Sequence, residues 1–277
     1  MTLGPESNEF HESTQERSIS KTNNRKAGST SFRKKASSKI LSGNQLEIIF
    51  RDRYFCVVNK PAGVPAQTQG KDQDILSLVS TATNIAKQKM HLVNRLDQPV
   101  GGLMIIAFSG GIHAAFENLR RNNGLAKIYL AVTSDVPQSQ SGSLHNYLLR
   151  DGRLNKSSVV PEKTADSRSA SLKWKKLDQT VGTDGKELAL LAIKLETGRH
   201  HQIRVQLAAA GWPIWGDRKY GDNQNNIKRN IALLSYLLYF IHPVSGEKLE
   251  LKLKPPEIYP FEIFSQTAWQ ALIDFDI

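Results

Sequence analysis

One carboxylate in the sequence has a setting that suits chemistry. The segment HLVNRLDQPVGGLMIIAF (91–108) contains Asp97, the sole Asp or Glu in the stretch 75–116. It follows apolar residues and precedes a Pro- and Gly-containing bend, 98–102, which leads into another apolar run. A carboxylate on such a loop is suited to a pocket, where an ionised Asp can act as a nucleophile. A turn-capping Asp has the same pattern, so this segment alone leaves both interpretations open.

A second segment, ETGRHHQIRVQLAAAGWPIWGDRKYG (196–221), concentrates basic and aromatic side chains. These are Arg199, His200, His201 and Arg204, followed by Trp212, Trp215 and Tyr220. Basic residues interleaved with aromatic rings suit phosphate contact and base stacking. Core tryptophans and solvated arginines are the alternative. The adjacent histidines of a helix point about 100° apart, so no metal site is predicted there.

Tyr129 is a third candidate, in the apolar run KIYLAV (127–132). In a strand its side chain lies on the opposite face from Ile128 and Leu130. It can serve as a stacking platform or be a half-buried strand tyrosine, and the run itself does not decide between them.

The elements that position these residues follow from hydrophobic periodicity. Apolar runs predict a hairpin at 46–50 and 54–59, strands at 102–108 and 127–132, and later strands in SLKWKKL, ELALLAIKLE, IALLSYLLYFI and LELKL. Helical spacing predicts helices at 74–88, 111–122 and near 199–210, whereas 134–166 has no clear period and is expected to form loops. Neighbouring strands with few helices between them indicate an α+β fold with a mixed, mainly antiparallel sheet and flanking helices.

Composition excludes several classes of protein. The chain has 277 residues and a net charge of +11, and its longest apolar run, 233–241, is half of what a membrane span requires. The N-terminus lacks the apolar core of a secretory signal, and the single cysteine, Cys56, fits a reducing cytoplasm without a disulfide framework or multi-Cys zinc site. A basic chain favours a polyanionic partner, but charge alone does not identify one.

The N-terminal residues differ from the rest of the chain. Twelve of the first forty residues are Ser or Thr, and eight basic residues from Arg17 to Lys39 follow four glutamates. We expect a disordered basic tail over 1–44 and a folded catalytic domain over 45–277. The tail is an arm that touches phosphate groups, a solvated segment, or the remnant of a targeting sequence.

Five motifs taken together resemble one family. FCVVNKPAGVPAQ, NRLDQPVGGLMIIA, KIYLAV, TGRHHQIRVQLAAAGWPIWGDRKYG and YFIHPVSGEKLELK occur in this order within residues 46–255. Their order and spacing resemble the RluA-type RNA pseudouridine synthases, which convert uridine in RNA to pseudouridine. The resemblance implies the pseudouridine synthase fold with a central cleft, and rRNA or tRNA as the substrate.

The resemblance also implies roles for particular residues. It assigns the catalytic carboxylate to Asp97, the pocket arginine to Arg204, the base-stacking ring to Tyr129 and an RNA-holding arginine to Arg95. It implies no cofactor and no metal, and we expect a cytoplasmic monomer that does not bind membranes.

The chain departs from the family pattern beside the aspartate. Asn94, Gln98 and Gly101 stand where the family usually has His, Arg and Ser. These departures leave room for a non-catalytic RNA-binding or ribosome-assembly factor on the same scaffold. A glycoside hydrolase is a third hypothesis, which needs a second acid at about 5–10 Å from Asp97, with Glu196 and Asp217 as the candidates.

Overall fold

The structure is a computed structural model that describes Met1 and residues 46–68, 73–221, 230–270 and 272. The predicted tail, 1–44, lies outside the described residues apart from Met1, so its disorder stays a prediction. The strands are β1 Glu47–Arg51, β2 Phe55–Lys60, β3 His91–Leu92, β4 Gly101–Ala107, β5 Leu125–Thr133, β6 Ser141–Asp151, β7 Lys156–Val160, β8 Arg168–Val181, β9 Glu187–Leu195, β10 Leu233–Ile241 and β11 Lys248–Lys252. The helices are α1 Ile75–Thr83, α2 Gly110–Arg121, α3 Gln202–Ala209 and α4 Gln266–Gln270, with short 3-10 turns at Lys87–Lys89 and Phe261–Ile263.

The strands form one mixed sheet in the order β1-β2-β4-β10-β5-β9-β8-β6-β7, with β3 paired to β4 and β11 paired to β10. The pairing of β10 with β4 is parallel, through Leu234 with Gly101 and Ser235 with Gly102, whereas the other described pairs are antiparallel. The predicted mixed, mainly antiparallel α+β fold is therefore confirmed. Among the described residues, no helix is both long and apolar enough to cross a membrane.

The strands β2 and β4 are buried on both faces of the sheet. On β4, Met104 and Ile106 belong to one core cluster, while Leu103 and Ile105 belong to a second. The helix α1 packs on the first cluster, and Phe116 of α2 packs on the second. Burial on both faces explains why these strands have continuous apolar sequences rather than the alternation of a half-exposed sheet.

The helix that precedes the Asp97 segment is shorter than predicted. A helix was expected over 74–88, but α1 begins after Asp74, whose carboxylate accepts a hydrogen bond from Ser77 N, and ends before Asn84. Asn84 has a φ of 58°, which stops the helix in the left-handed region. The apolar spacing continued past this point because Ile85 also packs against the core.

The expectation of loops at 134–166 was wrong. This stretch contains β6 and β7, which form a hairpin with Tyr147 opposite Val160 and Asp151 opposite Lys156. Most of β6 is exposed, and Leu148 is its one buried residue. A strand pair at the edge of a sheet with little buried surface shows no apolar alternation, and so no periodic pattern marks it in the sequence.

The central strands approach each other closely at Gly102. Its φ is +114°, and a Cβ atom there would lie 2.6 Å from Ser235 N and would also meet the Ser235 carbonyl oxygen. The adjacent Gly101 has more room, because its Cβ would come no closer than 3.4 Å, to Lys60 O. Only glycine allows the parallel contact between β4 and β10 at Gly102.

Replacing Gly102 with Ala is expected to destabilise the protein strongly. The new methyl group forces β10 away from β4 and adds backbone strain, so Gly102→Ala should lower the free energy of unfolding by about 3 kcal/mol or more. Gly101→Ala is the matched control and should cost less than about 1 kcal/mol. Urea unfolding followed by circular dichroism measures both, and equal losses in the two variants would contradict this account of Gly102.

Candidate active site

Asp97 lies on a turn whose backbone is held by a buried lysine. Lys60, at the end of β2, is fully buried, and its ammonium group donates to the carbonyl oxygens of Pro61, Val64 and Gln98 at 2.9, 2.7 and 3.2 Å. The turn is closed by Val100 N, which donates to Asp97 O at 3.0 Å. One cation therefore holds the loop after β2 and the Asp97 turn together.

The charge of Lys60 is opposed by its burial. Burial lowers the pKa of the Lys60 ammonium from 10.5 to about 8, while the nearby charge of Asp97 raises it. Taking an ammonium group out of water disfavours its charged form, and a carboxylate close by favours it. No pattern in the sequence predicted this role, because a lysine at the end of an apolar strand usually extends into solvent.

Arg204 bridges two carboxylates. Its Nη1 donates to Asp97 Oδ2 at 3.0 Å, while its Nε and Nη2 donate to the two oxygens of Asp217 at 2.8 Å each. The guanidinium is buried, at 6% side-chain exposure, and Asp217 is fully buried at 0%. Burial alone would lower the pKa of Arg204, but the hydrogen bonds and charges of Asp217 and Asp97 raise it above its ordinary value. The cation is thus permanent, and it holds the Asp97 carboxylate from the protein side.

The helix that carries Arg204 is buried along its whole first part. A helix near 199–210 was expected, and α3 occupies 202–209, with every residue from Gln202 to Leu207 buried. Gln202 anchors its start, because its side chain accepts from Thr197 Oγ1 and Arg199 N and donates to Ser171 O. The amide thus fixes the loop that leads into α3, whose N-cap residue, His201, makes no side-chain capping hydrogen bond.

His201 is the second side chain that faces Asp97. Its Nε2 lies 3.6 Å from Asp97 Oδ2, and its Nδ1 lies 2.8 Å from the Tyr220 hydroxyl. Its φ of 54° is in the left-handed region, which turns the ring toward the site. Burial lowers the pKa of His201 to about 4, with Arg204 adding to this effect and Asp97 opposing it.

Tyr129 lies close to the same carboxylate, on β5. Its ring is 5% exposed, and its hydroxyl is hydrogen-bonded to Ser235 of the neighbouring strand β10. Burial raises the pKa of the Tyr129 hydroxyl well above its ordinary value, the hydrogen bond with Ser235 opposes this, and the charge of Asp97 adds to it. The tyrosine is thus a neutral ring beside the Asp97 carboxylate.

The remaining basic and aromatic residues of the sequence prediction separate into two groups. Arg95 is exposed, two residues before Asp97, and Arg199 is exposed with its Nε donating to Ser169 O at 2.8 Å. Trp215 is a core residue, and Trp212 packs edge-on against Trp174 at 5.0 Å between ring centroids. The two tryptophans belong to the core, which was the alternative to base stacking.

Two departures from the family pattern have structural roles. The Asn94 side chain is buried, donates to Leu103 O at 3.2 Å and accepts from Ile105 N at 2.7 Å. It continues the pairing of β3 with β4 as a backbone amide would. The Gln98 side chain donates to Gly63 O at 3.0 Å, so it ties the two loops above Lys60 together.

The glycoside hydrolase hypothesis requires a second acid that can reach the substrate beside Asp97. Asp217 shares the guanidinium of Arg204 with Asp97, but its side chain is fully buried and cannot reach a substrate. Glu196 is exposed and lies 3.5 Å from the Lys173 ammonium. A general acid must contact the leaving oxygen, which the buried Asp217 carboxylate cannot do.

Comparison with known proteins agrees with this fold and site. The sequence pattern of the family described as RNA pseudouridylate synthase matches residues 54–209, more than half of the chain. Ribosomal large subunit pseudouridine synthase D of Zymomonas mobilis is 28% identical over 232 residues, which cover 76% of this chain and 70% of that protein. tRNA pseudouridine synthase C of Vibrio parahaemolyticus is 25% identical over 237 residues, which cover 81% of this chain and 96% of that protein.

A solved structure shows the same fold. Human RNA Pseudouridylate Synthase Domain Containing 1 superposes with a TM-score of 0.67 at 19% identity, covering 86% of this chain and 98% of the human chain. The mixed sheet therefore has the pseudouridine synthase fold. The chain belongs to the RNA pseudouridylate synthase family, and it is an isomerase; the resemblance inferred from the five motifs is confirmed.

The lowered pKa of His201 predicts a pH dependence of stability. The unfolded chain takes up a proton near pH 6.5 and the folded chain near pH 4, so the unfolded state holds more protons between these values. Stability should therefore fall as the pH is lowered from 7 to 5, with His201 contributing about 1–2 kcal/mol of that loss.

Urea unfolding of the wild type and His201→Gln at pH 7 and pH 5 measures this contribution. The pH-dependent loss should be smaller in His201→Gln. The same substitution at His145, an exposed residue of β6, should leave the wild-type loss unchanged. An identical loss in wild type and His201→Gln would contradict the assignment.

Proposed function

We propose that this enzyme converts uridine to pseudouridine in rRNA or tRNA, with Asp97 as the catalytic carboxylate. The observation that carries the proposal is the 3.0 Å pair of Asp97 Oδ2 with the buried Arg204 guanidinium. The names of the relatives support both RNA classes, since one is a ribosomal large subunit enzyme and another is a tRNA enzyme.

The exposure of the charged groups favours Asp97 as the reacting acid. The Asp97 side chain is 24% exposed, whereas its partner Arg204 is 6% exposed and the second carboxylate, Asp217, is 0% exposed. The cation therefore holds Asp97 from the protein side and leaves it open to a substrate. A carboxylate that acts on the ribose carbon must be oriented toward it in a site with little competing water, and the hydrogen bond from the buried arginine supplies that orientation.

The atoms of the reaction balance without an oxidant or reductant. The bond between uracil N1 and ribose C1′ breaks, and a bond between uracil C5 and C1′ forms. The hydrogen on C5 leaves as a proton, and N1 gains a proton. The transformation thus requires a group that acts at C1′ and a surface that holds the detached base, and it calls for no redox cofactor.

Tyr129 and Arg95 complete the proposed site. Tyr129 is held in place by Ser235 and stays neutral, so its ring suits contact with an uncharged uracil by stacking. Arg95 is exposed beside Asp97 and suits contact with the phosphates around a flipped nucleotide. Flipping a base costs a few kcal/mol, which such contacts offset.

The departures from the family motif do not favour the non-catalytic alternative. Asn94 and Gln98 make hydrogen bonds to backbone groups around the Asp97 turn, and the pair of Asp97 with Arg204 is present. The residues that left room for a binding factor therefore serve the scaffold of the site. A cytoplasmic location and a monomeric state stay predictions from the sequence.

Replacing Asp97 with Asn is expected to abolish activity while RNA binding is kept. The amide has nearly the same shape but carries no negative charge, so turnover should fall by at least about 10³-fold. The substrate is total RNA labelled with [5-³H]uridine from a strain that lacks the gene, and release of tritium measures the loss of the C5 hydrogen.

Asp178→Asn is the matched control. Asp178 lies on β8, where its carboxylate accepts from Ser265 Oγ at 2.8 Å, and its loss should leave turnover unchanged. Chemical mapping of pseudouridine in the deletion strain tests the alternative. Full activity of Asp97→Asn contradicts the site assignment, and a deletion strain that loses no pseudouridine contradicts the enzymatic function.

A further inference from the structure

We infer that the turn 217–220 positions the Asp97 carboxylate through the two side chains that face it. Those side chains are Arg204 and His201, and each is held by one end of the turn. The inference rests on the proposed function, because it concerns the same carboxylate. It adds two positioning residues, Asp217 and Tyr220, that do not themselves touch the substrate.

The first end of the turn orients Arg204. Asp217 accepts hydrogen bonds from Nε and from Nη2, both at 2.8 Å, which fixes the plane and rotation of the guanidinium. Nη1 remains for Asp97, at 3.0 Å. A guanidinium held by two parallel bonds can offer its third group in only one direction, so Asp217 determines where the Asp97 carboxylate is held.

The second end of the turn orients His201. The N–H of Ser157, on β7, donates to the Tyr220 hydroxyl oxygen at 2.8 Å, and that hydroxyl lies 2.8 Å from His201 Nδ1. Because the oxygen already accepts a hydrogen bond from Ser157, the Tyr220 proton is directed at Nδ1. A neutral His201 therefore carries its own proton on Nε2, the nitrogen that faces Asp97.

Both relays converge on the same oxygen of Asp97. Arg204 Nη1 lies 3.0 Å and His201 Nε2 lies 3.6 Å from Oδ2. The second distance exceeds a hydrogen bond, and such contacts shorten when a substrate closes the site. In the part of the chain that the structure describes, Oδ1 has no hydrogen-bond partner. Oδ2 is thus the anchored oxygen, and Oδ1 is the oxygen presented to the ribose.

Hydrogen bonds within the turn join its two ends. The Asp217 carboxylate also accepts from Lys219 N at 2.9 Å and Tyr220 N at 3.3 Å, and Gly221 N donates to Asp217 O at 2.8 Å. A Cβ atom on Gly221 would lie 2.6 Å from that oxygen, so the closure requires glycine. The Tyr220 ring also lies over Arg204, at 5.2 Å from Cζ to the ring centroid.

Removing the Tyr220 hydroxyl tests the second relay. Tyr220→Phe should lower kcat about tenfold and change the KM for RNA less than about twofold, since the hydroxyl orients His201 without contacting RNA. Tyr259→Phe is the matched control, because the Tyr259 hydroxyl also accepts from a backbone N–H, that of Thr183 at 3.1 Å. It should leave kcat unchanged.

A double-mutant cycle separates positioning from a general structural role. The amide of His201→Gln can offer an N–H to Asp97 without help from Tyr220. Tyr220→Phe should therefore lower kcat less than about twofold in the His201→Gln background. An equal loss in both backgrounds, or wild-type kcat for Tyr220→Phe, overturns the relay.

The first relay is tested by Asp217→Asn, which should lower kcat about 100-fold with a small change in KM. Asp52→Asn is the control, since Asp52 likewise accepts two N–H groups of a turn, from Tyr54 and Phe55, at the opposite end of β2 from Lys60. It should keep wild-type kcat. Equal kcat losses in both Asp→Asn variants, or wild-type kcat for Asp217→Asn, overturn this relay.

A measurement on the unmutated protein covers the case in which a variant fails to fold. The ¹⁵N chemical shifts of His201 should show a proton on Nε2 and none on Nδ1 at pH 7, and a proton on Nδ1 overturns the second relay. The kinetic outcomes also separate the two proposals. An inactive Asp97→Asn with a fully active Tyr220→Phe overturns the second relay alone, whereas an active Asp97→Asn overturns the proposed function.

Discussion

The buried guanidinium of Arg204 is the interaction on which the rest of the site depends. A permanent cation inside a protein is costly unless it is fully paired, and here two carboxylates satisfy it on different edges. The buried Asp217 fixes the cation, and the cation in turn holds the partly exposed Asp97. The first part of α3, from Gln202 to Leu207, is buried, so the helix shields the charged side chain that it carries from water.

The sequence predicted most of the fold because its central strands are apolar on both faces. The hairpin of β1 and β2 and the strands β4, β5, β9 and β10 appeared as apolar runs, and the lone Asp97 stood out between two of them. The spacing of apolar residues in a sequence reflects which of them are buried, so these elements could be predicted. Family resemblance then added the pairing of Asp97 with Arg204, which no local pattern contains.

The parts that the sequence did not reveal are held by polar contacts between distant residues. The hairpin of β6 and β7 buries little apolar surface, and the roles of Lys60 and Asn94 consist of hydrogen bonds to backbone groups. The link from Ser157 to Tyr220 spans 63 positions in the chain. Such contacts depend on tertiary geometry. From its residue type alone, each of these polar side chains could equally well lie in solvent, so the sequence does not predict the contact.

The position of β10 has a consequence for synthesis on the ribosome. This strand lies between β4 and β5 in the sheet, yet it is synthesised only after β5 to β9. Until residue 241 emerges, β5 presents an unpaired apolar edge from Leu125 to Ala131, whereas β4 lacks its β10 partner only at Gly101 and Gly102. An unpaired apolar edge is the kind of surface that recruits other chains. The nascent chain therefore passes through a stage in which the β5 edge is open to other chains, and slower translation between β9 and β10 lengthens that stage.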